Sequence, residues 1–329
     1  MYKVLITTVP FAEVIEVPRQ ILSQHAEVDF LVNPLNKKLT ESELIGLVED
    51  VDIIIAGTEP ITKKVINAAK KLKFISRVGI GLDSVDLTAC KEKNIIVSYT
   101  PDAPAKAVGE LTICLMLSLL RNVHVSNSQL HMGSWYRFFG ARLEDSTIGI
   151  IGTGRIGKRV LSHLRGFSPA KILVNNLENN LNELPNDLNI EFTSKDKIYS
   201  ESDIISLHLP LTSSTRNLIT EIELSSMKKN CSIINTSRGG IINEEDLFYA
   251  VKNKLIAGAA IDTFVDEPYN GELKELDNVL LTAHMGSMSV DCRSRMEIEA
   301  TEEALRFING DSLQGIVPNE EYILQSKFN

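Results

Sequence analysis

The sequence predicts an α/β protein made of two parallel-sheet domains, and three observations carry that expectation. Short apolar runs alternate with longer helix-like segments from the first residues onward. The alternation pauses at a stretch with two prolines, YTPDAPAK, and then starts again. The second series opens on a glycine-rich turn between a strand-like run and a helix-like one. Alternation of this kind is the pattern of a parallel sheet with helices on its faces.

Taken in order, the first series runs KVLIT, FAEVIEVPRQILSQH, VDFLV, LTESELIGLVED and VDIIIAG, then TKKVINAAKK, FISRVG, SVDLTACKEK and IIVSYT. Pro101 and Pro104 break it and mark a crossing between domains. LTICLMLSLL (111–120), flanked by Glu110 and Arg121, is too short a run to span a bilayer and reads as a buried helix. A loop rich in large side chains, HMGSWYRFFGARLED, leads into the second series. Its strands are TIGII, KILVN, DIISLH, CSIINT, AGAAI and NVLLT, ending near His284. One amphipathic stretch follows, EIEATEEALRFING, with Gly310 as its stop signal.

Bulk properties narrow the function classes. A chain of 329 residues with 43% hydrophobic residues has enough material for two cores. The formal net charge of -9 disfavours nucleic acid or an anionic membrane as partner. MYKVLITTVPF lacks the basic-then-apolar order of a secretory signal and reads as a first strand. Cys90, Cys114, Cys231 and Cys292 are scattered and form no metal-spaced set. Cys114 and Cys231 lie in apolar runs and read as core thiols, which fits a reducing cytoplasm.

The glycine-rich turn is Gly152-Thr153-Gly154-Arg155-Ile156-Gly157, a G-x-G-x-x-G directly after TIGII. The first glycine permits the turn, the second lets backbone approach a pyrophosphate, and the third lets helix and strand pack closely. The helix N-terminus then faces the phosphates. This makes the second domain a Rossmann-type dinucleotide site. An acidic residue is expected at the tip of the next strand, on the ribose hydroxyls. The tip here reads Asn175-Asn176-Leu177-Glu178, so Asn176 takes the ribose position. Glu178 and the lack of a nearby arginine favour NAD over NADP.

SIINTSRGGII (232–242) raises a separate question, because Arg238 stands at the rim of an apolar run. Guanidinium keeps its charge, so it needs an anionic or strongly polar partner. That partner is either a carboxylate of the protein or a substrate. The surrounding motifs bear on the choice: HLPLT (His208 to Thr212, with Pro210), NTSRGG (Asn235 to Gly240), AAIDTFVDEP (Ala259 to Pro268) and LTAHMGS (Leu281 to Ser287). Together with the glycine motif, their order and spacing closely resemble the D-isomer-specific 2-hydroxyacid dehydrogenases, most nearly the phosphoglycerate dehydrogenases in short form.

The resemblance implies two Rossmann/flavodoxin-like domains with a cleft between them. Residues 1–102 plus 288–329 would form a discontinuous substrate domain, and 103–287 the NAD-binding domain. It implies a catalytic Arg238, Glu267 and His284, with Arg238 facing substrate. Chemistry asks for the same set: a His near neutral pKa moves the proton, a carboxylate orients it, and an Arg fork holds a substrate carboxylate. Cofactor contacts carried over are Gly152, Gly154, Arg155, Ile156, Gly157, Asn176, His208 and Pro210, with Thr236, Ser237 and Asp262 beside the nicotinamide. In RVGIGLDSVD, the N–H groups of Val78, Gly79 and Ile80 are expected to cradle a substrate carboxylate, the alternative being an ordinary glycine turn.

Departures from the family pattern bear on the substrate. Phosphoglycerate dehydrogenases often carry an arginine after the third strand, where this chain has Ala56-Gly57-Thr58-Glu59-Pro60. Pro104 replaces a common asparagine, and the chain ends at Asn329, before the place of a serine-binding regulatory domain. Lys63, Lys64, Arg77 and Lys106 are possible phosphate contacts. The first expected substrate is 3-phosphoglycerate. Glycerate, glyoxylate or another small 2-hydroxy acid, as in glyoxylate/hydroxypyruvate reductases, is the close rival. A different class, an NAD-sensing scaffold like the C-terminal-binding-protein corepressors, keeps the same trio and is separated by turnover. Trp135, Tyr136, Phe138 and Phe139 favour a homodimer.

Overall fold

Each of the eleven runs read as strands forms a strand, and all pair in parallel within two separate sheets. The computed structural model describes residues 1–176 and 184–326. The chain divides into two units, one of Met1–Pro104 with the chain from Ser287 onward, the other Ala105–Gly286.

Unit 1 contains β1 (Tyr2–Ile6), α1 (Val17–Ser23), β2 (Val28–Val32), α2 (Glu41–Ile45), β3 (Ile53–Ala56), α3 (Lys63–Ala68), β4 (Phe74–Arg77), α4 (Leu87–Glu92) and β5 (Ile96–Tyr99). Its sheet order is β2-β1-β3-β4-β5. Successive strand residues point to opposite faces, so Leu5, Ile54, Ile75 and Val97 pack with Leu44, Val65, Ile66 and Leu87 of α2–α4. The helix predicted from FAEVIEVPRQILSQH begins only at Val17, with Pro18 at its first turn, where a missing N–H costs nothing.

The chain enters unit 2 through α5 (Ala103–Arg121) and α6 (Val123–His131). There follow β6 (Thr147–Ile151), α7 (Arg155–Leu164), β7 (Lys171–Asn175), β8 (Ile190–Phe192), α8 (Lys195–Glu201), β9 (Ile204–Leu207), α9 (Glu221–Ser226), β10 (Ser232–Asn235), α10 (Glu244–Lys252), β11 (Gly258–Ile261) and β12 (Val279–Leu281). The sheet order is β12-β11-β10-β9-β6-β7-β8. One face packs Ile148, Ile150, Ile172 and Val174 against α5 and α7, and the other packs Ile151, Leu173, Ile205 and Ile233 against α8–α10.

The chain returns to unit 1 in α11 (Val290–Asn309) and α12 (Asn319–Ser326). α11 covers the second face of the unit 1 sheet. Phe307 stacks on Phe74 with centroids 4.7 Å apart, and the Ser76 hydroxyl donates to the Ala300 carbonyl at 2.8 Å. Gly310 ends α11 as expected, in the left-handed region at φ 73°.

Two readings need correction. Cys114 is exposed, because α5 turns Ile113, Leu115, Met116 and Leu119 into the core and leaves position 114 on the opposite side. The apolar run 111–120 also belongs to a longer helix. At 19 residues α5 is long and apolar enough to cross a membrane by composition alone, as core helices often are, and just over half of it is buried.

Candidate active site

Unit 2 assembles its functional groups on turns that leave the carboxyl ends of its strands, where an open parallel sheet exposes its ligand sites. After β6, Gly152 adopts φ 95°, and a Cβ there would lie 2.2 Å from the His208 carbonyl oxygen. A Cβ on Gly157 would lie 2.1 Å from the Gly152 carbonyl oxygen, so the third glycine seats α7 on the turn. Gly154 differs: nothing stands within 4 Å of its would-be Cβ, and it caps α7 without a side-chain bond. Gly152 and Gly157 are thus needed by the fold, while the space at Gly154 is open. Residues of this kind fit the pyrophosphate of a dinucleotide over the N-terminus of α7, at Arg155 and Ile156.

Asn176 stands at the tip of β7, where its Oδ1 accepts from the Thr153 N–H at 3.3 Å. The tip is thereby tied to the glycine turn. Glu178 lies outside the described residues. Ser206 of β9 and His208 just past its end share a hydrogen bond at 3.0 Å through His208 Nε2, while His208 Nδ1 is enclosed without a partner among the described residues. Burial pushes the His208 imidazole down to about 4. The imidazole is thus neutral, and Pro210 close by in the chain is exposed. Thr236 and Ser237 turn their hydroxyls inward, Thr236 to Thr112 of α5 at 3.1 Å and Ser237 to the Leu207 carbonyl.

Arg238 follows β10 in the turn Ser237-Arg238-Gly239-Gly240. Asn235 Nδ2 donates to the Arg238 carbonyl at 2.8 Å, and Arg238 Nη1 donates to the Ser237 carbonyl at 2.7 Å. A Cβ on Gly239 would fall 2.0 Å from the Phe264 carbonyl carbon. Only glycine lets this turn lie directly on the loop that carries Glu267.

Glu267 and His284 meet. His284 Nδ1 lies 2.9 and 3.0 Å from the two Glu267 carboxyl oxygens, and both side chains are partly exposed. A carboxylate only accepts here, so Nδ1 carries the hydrogen and Nε2 is the ring nitrogen turned away from Glu267. The Phe264 N–H donates to Glu267 Oε1 at 3.2 Å, and Glu244 Oε1 accepts from the Val265 N–H at 2.8 Å, fixing the loop at two points. His284 itself sits in the left-handed region at φ 48°. A non-glycine residue there is strained unless its surroundings hold it.

Asp262 supplies that hold. It is 1% exposed, and it accepts from Thr282 Oγ1 at 2.6 Å, the Met285 N–H at 2.8 Å and the Gly286 N–H at 2.9 Å. The residue expected beside the nicotinamide spends three of its acceptor positions on the His284 loop. The motif located Asp262. Its partners, more than 19 residues further along, had no local signal.

In unit 1, the Val78–Ile80 turn follows β4, with Gly79 at φ 127°. The Val78 N–H donates to the Ala56 carbonyl at 2.8 Å and the Gly79 N–H to Thr100 Oγ1 at 2.7 Å. The expected three-donor cradle therefore offers one N–H, that of Ile80, without a partner among the described residues. Arg77 is buried beside it, its Nη1 2.6 Å from where a Gly79 Cβ would stand. Lys63 and Lys64 are exposed and paired with Glu92 and Glu41; Lys106 is exposed on α5.

Comparison with known proteins bears on the family. A family model described as D-isomer specific 2-hydroxyacid dehydrogenase, NAD binding domain, matches residues 113–286. D-3-phosphoglycerate dehydrogenase of Methanocaldococcus jannaschii is 34% identical over 328 residues, which is 96% of this chain and 59% of that protein. Hydroxypyruvate reductase of Thermotoga maritima is 36% identical over 278 residues, 82% of this chain and 89% of the relative. The crystal structure of a glyoxylate reductase from Paecilomyes thermophila has a TM-score of 0.84 at 28% identity, covering 97% of this chain and 99% of that one.

Proposed function

The chain belongs to the D-isomer-specific 2-hydroxyacid dehydrogenases, a family of NAD-dependent oxidoreductases, and from that premise we propose that it interconverts a small D-2-hydroxy acid and its 2-keto acid. The observation that carries this reading is the bond between His284 Nδ1 and Glu267, held by loops that Asp262 and Glu244 pin. NAD supplies or takes the hydride when bound, over Gly152, Gly154 and Gly157. His284 gives its proton to the carbonyl oxygen in reduction and removes it from the hydroxyl in oxidation. Glu267 stabilises the charged imidazole and holds its tautomer. Arg238 binds the substrate carboxylate and polarises the carbonyl.

The relatives divide between 3-phosphoglycerate and hydroxypyruvate or glyoxylate as named substrates, so both expectations enter the test. We place the protein in the cytoplasm as a homodimer. Exposure of Trp135 at 77%, Tyr136 at 61% and Phe139 at 98% supports self-association, and all four thiols are free.

NADH absorbance followed with 3-phosphohydroxypyruvate, hydroxypyruvate, glyoxylate and pyruvate tests the reading. Consumption with one member supports it, and His284→Ala should then lower turnover about a hundredfold or more with NADH affinity kept. NADH binding without consumption of any member would turn the assignment toward an NAD-sensing scaffold.

A further inference from the structure

Glu267 sits in a stretch of chain that is largely open to solvent: Val265, Asp266, Pro268 and Asn270 are all exposed. Its carboxylate nevertheless sets both oxygens within 3.0 Å of His284 Nδ1. Holding that geometry takes a frame, and the frame is aromatic. Phe264, just before the exposed stretch, is buried in the apolar cluster that includes Leu247 and Val251 of α10. Tyr269, just after it, lays its ring on the Phe264 ring, with centroids 4.1 Å apart and planes 21° from parallel. Stacked rings of this kind attract beyond the area they bury. The pair joins the two ends of the segment that carries Glu267.

Both rings are held in turn. The Tyr269 hydroxyl accepts from the Leu273 N–H at 3.1 Å. A Cβ on Gly271 would stand 2.6 Å from Tyr269 Cζ and 2.7 Å from its Cε2, so the ring lies directly on that glycine. Phe264 connects the frame to the carboxylate, since its N–H donates to Glu267 Oε1 at 3.2 Å. The bond from the Val265 N–H to Glu244 fixes one further point of the loop. All of these groups belong to unit 2.

We propose that Tyr269 is a positioning residue of the reaction: by stacking on Phe264 it closes the 264–269 loop and fixes the Glu267 carboxylate against His284. The proposal rests on the acid–base reading of that pair. Tyr269 is assigned no contact with substrate or cofactor, so its loss should appear in kcat and leave KM and NADH affinity in place.

Turnover is measured with the 2-keto acid that the wild type consumes fastest, and is expressed per NADH-binding site so that unfolded protein does not count. Tyr269→Leu removes the stack, and Gly271→Ala, at a backbone φ of -86° that alanine accepts, pushes the ring aside from without. Each should lower kcat about tenfold or more, with KM and NADH affinity within about twofold of the wild type. Tyr269→Phe keeps the stack and should recover most of the loss, to within about threefold of the wild type. The deciding measurement is Tyr269→Leu in a Glu267→Gln background. A residue that acts through Glu267 should cost about twofold or less once that carboxylate is gone, whereas a merely structural one costs the same in either background.

Full kcat in Tyr269→Leu and Gly271→Ala, or an equal loss in both backgrounds, would overturn the proposal and leave the acid–base pair standing. A Glu267→Gln enzyme as active as the wild type would instead remove the acid–base reading, as would NADH-binding protein that consumes no 2-keto acid, and the proposal would fall with it. Should Tyr269→Leu yield no protein that binds NADH, Gly271→Ala, alone and with Glu267→Gln, decides by the same comparison.

Discussion

His208 offers a sharp test of the unit 2 architecture. An ordinary histidine titrates near 6.5, and burial holds this imidazole at about 4. Its Nε2 has Ser206, but Nδ1 is enclosed without a partner among the described residues, so a second proton would create an unpaired buried charge. The sign follows directly. Between about pH 6.5 and pH 4 the unfolded chain binds a proton that the native chain refuses. Stability is therefore complete above about pH 6.5 and is lost as pH falls toward 4, by up to about 3 kcal/mol. The experiment is urea unfolding of wild type and His208→Gln at pH 7.5 and pH 4.5. The wild-type lead over the variant should shrink by about 2–3 kcal/mol at the lower pH, since other acid-titrating groups cancel between the two proteins. A lead that is the same at both values would refute the buried neutral imidazole, and with it the packing of β9 beneath the glycine turn.

Three further outcomes follow from the geometry. Gly154→Val should fold normally, since its Cβ meets nothing within 4 Å, yet lose NADH binding by fluorescence; unchanged affinity would rule out the glycine turn as the cofactor site. Arg238→Lys should cost at least about a hundredfold in kcat/KM, because a point charge cannot reproduce a planar fork, and near-normal turnover would remove Arg238 from the substrate. Asp262→Asn turns an amide NH₂ toward donors it now accepts from, at a cost of about 1–3 kcal/mol. It should lower kcat about ten- to a hundredfold with NADH affinity intact, whereas lost affinity at full kcat would return Asp262 to the cofactor.

The glycine turn, the Arg238 turn and the Glu267 and His284 loops were all legible because each is a short connection whose residue types dictate its shape. Gly239 is readable for the same reason: only glycine accepts backbone at 2.0 Å. Long-range partnering was not legible. Thr112 and Thr236 are 124 positions apart, and Arg293 and Thr8 are 285 apart, so no local pattern announces either bond. LTICLMLSLL reads as apolar throughout, which hid the outward side of α5 that carries Cys114. β8 escaped because an edge strand of three half-buried residues, Ile190–Phe192, has too little pattern to register. The cradle at Val78–Ile80 was expected from residue types alone, whereas the bonds of Val78 and Gly79 to Ala56 and Thr100 depend on neighbouring strands.

The return of α11 to unit 1 has a consequence for biosynthesis. The first 104 residues supply all five strands of the unit 1 sheet, but the face bearing Phe74 and Ser76 is covered by a helix that begins only at Val290. On a ribosome working at roughly 5–20 residues per second, the intervening segment takes about 10–40 s to appear. For that interval the nascent sheet carries an uncovered apolar face while unit 2, encoded without interruption, has everything it needs to fold. The nascent chain is then a substrate for chaperones that hold exposed strands, and slower translation across 105–286 should lengthen its dependence on them.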